Sequence, residues 1–166
     1  IVLVVAVVAV AVWKAFDQVV APAWYHGRQQ QLAADFAKPR SSIEAGQALG
    51  VIQIPGIGAN LVIVEGSNPN ELRSGPGHRI GTVEPGDVGN SIIEGHRTRW
   101  GGPFRHLDVL VPRTRIVTVT RSGIPVEFRV TKVARVPREQ LARWLAPSRD
   151  RRITLVTHAG SSFDDD

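Results

Sequence analysis

A continuous apolar run opens the chain: residues 1–13 read IVLVVAVVAVAVW before Lys14. About 20 residues of this kind span a bilayer as a helix. The run therefore predicts a transmembrane anchor over residues 1–16, truncated at its start, in a chain that begins inside a longer protein. A buried core helix or the apolar part of a secretory signal would use the same pattern. Trp13, Lys14, Trp24 and Tyr25 suit the interfacial belt of an anchor. Residues 16–36 continue as helix formers with a break near Pro22, and RQQQLAADF at 28–36 is polar on most faces. Pro39, Ser41, Ser42 and Gly46 then read as a linker. Residues 17–48 are expected to form a helical stalk and linker without chemistry of their own.

From Leu49 the pattern shortens to strands divided by turns. Apolar or β-branched runs occupy 51–54, 61–64, 91–94, 115–120, 126–133 and 153–157. Ser122-Gly123 supplies a hairpin turn between the fourth and fifth of these. Residues 67–90 are rich in Gly and Pro and too irregular for a long element. Residues 104–110 and 138–145 are short helical candidates, and in the second Leu141, Trp144 and Leu145 share one face. This spacing makes residues 49–166 an all-β sandwich or small barrel.

Composition narrows the chemistry. The chain of 166 residues carries a net charge of +5, supplied mostly by arginine, and contains no cysteine. The arginines are scattered and the aromatics few, so a nucleic-acid face is not expected; anionic lipid or a wall polymer remains compatible. Disulfides, thiolate metal sites and a cysteine nucleophile are excluded within these residues. His96 is the first candidate for chemistry. It follows the apolar run 91–93 and Gly95, and a Gly-Gly-Pro breaker comes soon after at 101–103. A histidine where a strand opens into a loop has a fixed backbone and one face open to a ligand. His26, His78 and His106 have no partner at a recognisable spacing and receive no role.

Four segments together resemble the sortases. GNSIIEGHR at 89–97, followed by Gly102-Pro103-Phe104 and Leu107, is similar to the family's histidine region. VIQIPGIG at 51–58 resembles its first strand, and LRSGPGH at 72–78 resembles its GPG(H) turn. ITLVT at 153–157 is similar to the strand that delivers the nucleophile, normally Thr-Leu-x-Thr-Cys. The resemblance runs from about Leu49 to Gly160.

It implies a closed β-barrel of up to eight strands with short connecting helices, preceded by an N-terminal membrane and stalk helix. The C-terminal strand is expected to be absent here. It also implies a single-pass protein of the cell membrane with its catalytic domain outside the cytoplasm. The partners would be the sorting-signal peptide of a surface protein and an amine on a cell-wall precursor or pilin, without a cofactor. In such enzymes a thiolate attacks the peptide carbonyl, a histidine moves the proton, and an arginine stabilises the oxyanion. His96 matches the histidine as general acid and base. His158 occupies the nucleophile's place, and no arginine follows it. An acyl-imidazole hydrolyses quickly, so efficient transpeptidation is not expected; the alternative is a non-catalytic module that binds a peptide or partner. Thr157, Trp144 and Leu145 are candidate substrate contacts, although the last two serve equally well as core or lid residues. Two imidazoles without a fixed third ligand make a poor metal site, and even with Asp164 nearby no metal is expected.

Overall fold

The computed structural model describes Phe16, residues 20–38 and residues 42–158. Most of the anchor expected over residues 1–16 lies outside these, as does Asp164. Among the described residues no helix is long and apolar enough to cross a membrane.

Helix α1 (Ala21–Phe36) comes first. Pro22 sits in the opening turn of the α-helix, and Val20 just before it is already helical with π-type bonding, so the irregularity expected near Pro22 is a change of helix type. Among the described residues seven strands follow: β1 (Ala48–Ile54), β2 (Ala59–Glu65), β3 (Gly77–His78), β4 (Gly89–Glu94), β5 (Arg115–Thr120), β6 (Pro125–Arg129) and β7 (Arg151–Val156). Helix α2 (Pro69–Leu72) lies between β2 and β3, and α3 (Leu141–Leu145) precedes β7. The candidate helix at 104–110 is realised only as a single 3₁₀ turn, Leu107–Val109.

All the strands join one sheet in the order β6-β5-β1-β2-β3-β4-β7, curled into a nearly closed barrel. Seven strands fall within the expected barrel of up to eight, and among the described residues β6 and β7 are the edges of the sheet, which is nearly rather than fully closed. β6 is also shorter than its apolar run. Its neighbour turns at Arg113, where φ is +75°, and the ladder ends after Arg129.

Alternation along β1 and β2 sends residues to two separate cores. Leu49, Ile54 and Ile63 meet Ile93, Phe104 and Ile116 inside the barrel. On the outer face Val62 and Val64 pack with Ala48 against Leu32 of α1. Burying one such side chain contributes about 2 kcal/mol. Polar contacts fix the helix further. The Gln29 amide accepts from Val62 N at 2.7 Å and donates to Ser74 O at 2.7 Å, as a neighbouring strand would. At the other end, Arg121 donates to the carbonyls of Lys38 (2.8 Å) and Ala48 (3.0 Å), tying the helix C-terminus to β1. Residues 21–36 therefore lie against the sheet.

Candidate active site

β4 and β7 are far apart in sequence yet pair in parallel, residue for residue, from Gly89↔Arg151 to Glu94↔Val156. The pairing follows from the shared apolar, β-branched character of Ile92-Ile93 and Ile153-Thr154-Leu155-Val156. It carries on beyond the strands. Gly95 N donates to Val156 O at 3.0 Å, and Thr157 Oγ1 donates to Gly95 O at 2.8 Å. His96 and His158 follow, each two residues beyond the last pair. The register brings positions 96 and 158 to the same end of the sheet on adjacent strands. His96 is half-buried and His158 exposed. Thr157, a candidate substrate contact, uses its hydroxyl to clasp the two strand ends together.

The loop after His96 returns on itself: Phe104 N donates to His96 O at 3.1 Å, and the Phe104 ring is fully buried beneath the turn. Between these points Trp100, Gly101 and Gly102 have φ of +49°, +78° and +55°. For tryptophan that conformation costs about 1–2 kcal/mol. A side chain on Gly101 would strike the ring of Tyr25, so glycine is required there twice over. The Tyr25 phenol is buried, its oxygen has no hydrogen-bond partner among the described residues, and burial pushes its pKa far above the ordinary value. Tyr25 therefore faces protein rather than the lipid interface expected of it. Arg97 pairs with Asp108 at 3.0 Å beside the same loop.

Trp144 and Leu145 lie at the far end of the same strand pair. The Asn90 amide donates to the carbonyls of Trp144 (3.2 Å) and Ala146 (2.9 Å) and accepts from Thr154 Oγ1 at 2.7 Å. Both side chains are half-buried, and Lys132 lies over the Trp144 ring, 5.0 Å from its centroid. The strand pair between Asn90 and His96 is roughly 20 Å long at about 3.3 Å per residue. Trp144 and Leu145 thus mark one end of it, and His96, Thr157 and His158 the other.

One histidine without an expected role has partners at both ring nitrogens. His78 is buried; Nδ1 lies 2.8 Å from Glu65, and Nε2 lies 2.9 Å from both Val83 O and Thr82 Oγ1. The parallel register Glu65↔His78 makes this pair, at a sequence separation that no spacing rule anticipates. Glu65, His78 and Thr82 line a cavity of about 450 Å³ with Ser42, Leu49 and Arg121, where β1 begins and β2 and β5 end. Among the described residues no group of three or more metal-ligating side chains comes together.

Comparison with known proteins bears on the whole arrangement. Residues 52–162 match the Sortase domain family. The chain is 40% identical to Sortase D of Bacillus subtilis (strain 168) over 67 residues, which are 39% of this chain and 34% of that protein. It therefore spans about a third of the length of this curated relative. Among solved structures, a Sortase D5 transpeptidase of Clostridium perfringens superposes with a TM-score of 0.69 at 24% identity, over 82% of this chain and 89% of that one. The SrtA sortase of Actinomyces oris is 30% identical, with a TM-score of 0.63 and coverage of 77% of each chain. With the family matched over most of the strands and the same fold in both structures, the chain belongs to the sortase family.

Proposed function

We propose that this protein holds the sorting-signal peptide of a surface protein along β4 and β7, and that acyl transfer to a wall or pilin amine is blocked at position 158. The reading is of a degenerate sortase acting as a peptide-binding module at the outer face of the cell membrane, tethered by the apolar N-terminal segment. The observation that carries it is the in-register β4–β7 pair, which ends two residues short of both His96 and His158. An extended peptide lying from Trp144 and Leu145 towards His96 would have its scissile carbonyl at the 96/158 end. There His96 can give a proton to a leaving amine, but transfer also needs a nucleophile that survives as an acyl-enzyme. A thiolate gives a thioester of useful lifetime. The imidazole of His158 would give an acyl-imidazole that water destroys first.

The test is a labelled sorting peptide offered to the unaltered protein, to His158→Cys and to His158→Cys/His96→Ala. The reading predicts saturable binding by all three. It predicts cleavage only in His158→Cys, roughly tenfold or more above the unaltered chain, lost again with His96→Ala. Binding that Trp144→Ala leaves unchanged would contradict a peptide path that runs from Trp144 and Leu145. Equal turnover by the unaltered protein and His158→Cys would remove the block at position 158.

A further inference from the structure

We infer that helix α1 positions His96, acting through an aromatic clamp on Trp100. The inference concerns the site proposed above but rests on contacts of its own. Trp100 stands in the loop that leaves at His96 and returns at Phe104, where Phe104 N donates to His96 O at 3.1 Å. Its ring meets Trp24 edge-on at 5.5 Å and Phe16 at 6.4 Å, and the Arg73 guanidinium lies 5.3 Å from its centroid. The next residue, Gly101, is packed so close to the buried ring of Tyr25 that a side chain there would strike it. Tryptophan does not keep a left-handed backbone unaided; surrounding contacts must hold it there. Most of those contacts come from the first turns of α1 and from Phe16 before it. The same helix is anchored independently lower down, by Gln29 on β2, by Leu32 in the outer core and by Arg121 at its C-terminus. Its lower half thus secures the helix, while its upper half sets the loop that begins at His96. Trp24, Tyr25 and Trp100 are positioning residues, with no contact to the reacting atoms required of them.

The test uses the full chain and reads the His96 ring directly by nuclear magnetic resonance, its signals assigned by their loss in His96→Gln. Hydrogen exchange of residues 97–103 is measured in parallel. Trp24→Ala and Trp100→Ala should shift the His96 ring resonances and speed exchange in the loop roughly three- to tenfold. Trp100→Phe, which keeps an aromatic ring, should restore most of both. Leu32→Ala, at the anchored half of the helix, should lower thermal stability while leaving both readouts in place. Trp24 is half-exposed, so its replacement tests the clamp at less cost to folding than a change at the buried Tyr25 or Leu32. His96 signals unmoved in Trp24→Ala, or moved equally by Leu32→Ala, would overturn the inference. Neither readout depends on peptide binding or turnover, so failure here is distinct from failure of the proposed function.

Discussion

The molecule holds its histidines in two different ways. His78 is buried inside the barrel, with Glu65, Thr82 and the Val83 carbonyl all within hydrogen-bonding distance of its ring. His96 and His158 stand where β4 and β7 have just ended, half-buried and exposed, beside a loop with three consecutive left-handed residues. The first arrangement spends the ring on structure: it joins β2, β3 and the loop after β3. The second leaves the backbone fixed and the rings at the rim. Residue type alone does not separate the two uses. What separates them is whether the residue lies within the sheet, facing inward, or just beyond the end of its strand.

Replacing the structural histidine should therefore do most damage. His78→Ala strands the partly buried Glu65 carboxylate and is expected to cost about 2–4 kcal/mol of unfolding free energy in urea titrations. Leu32→Ala, which empties the outer core beneath α1, should follow at about 2–3 kcal/mol. His158→Ala should stay within about 0.5 kcal/mol by the same measurement, as an exposed rim residue does. A large loss there would erase the contrast.

Tyr25→Phe sharpens the comparison through pH. Its folded pKa is raised by burial, so the folded chain holds the phenol proton at pH values where the unfolded chain releases it. Its contribution to stability is complete below the unfolded value, about 10, and is lost as pH rises beyond it. Thermal melts across that range should show the unaltered protein weakening and Tyr25→Phe weakening less. The smallest effect belongs to the β5–β6 hairpin. Hydrogen bonding from Arg115, with help from Arg129, lowers the pKa of the exposed Glu127. Glu127→Gln should leave the melting midpoint within error at neutral pH and in acid.

The strands were legible because most carry β-branched runs between Gly and Pro turns. β3 was not: two residues, one of them glycine, show no alternation, and only its neighbours β2 and β4 make it a strand. The docking of α1 was hidden for a different reason. Ala21, Tyr25 and Leu32 are its only buried apolar residues, and Gln29 and Arg28 hold it by hydrogen bonds, so it carries no strong apolar stripe. His96 was legible from its place at a strand end, and His158 from the strand that precedes it. The Glu65–His78 pair was invisible because parallel register, rather than spacing along the chain, brings the two together. Trp100 gave no sign of its left-handed backbone, a conformation that contacts from another element impose.

The central claim is that the β4–β7 register continues far enough to set position 96 beside position 158. A chain without cysteine allows a clean test. Neighbouring strands lie about 4.8 Å apart, and disulfides form between Cα atoms roughly 4.4–6.8 Å apart. The double variant His96→Cys/His158→Cys should close an intrachain disulfide on mild oxidation, identified by peptide mapping and reversed by reductant. Two thiols that both remain free in the folded, oxidised protein would contradict the register and the site built on it.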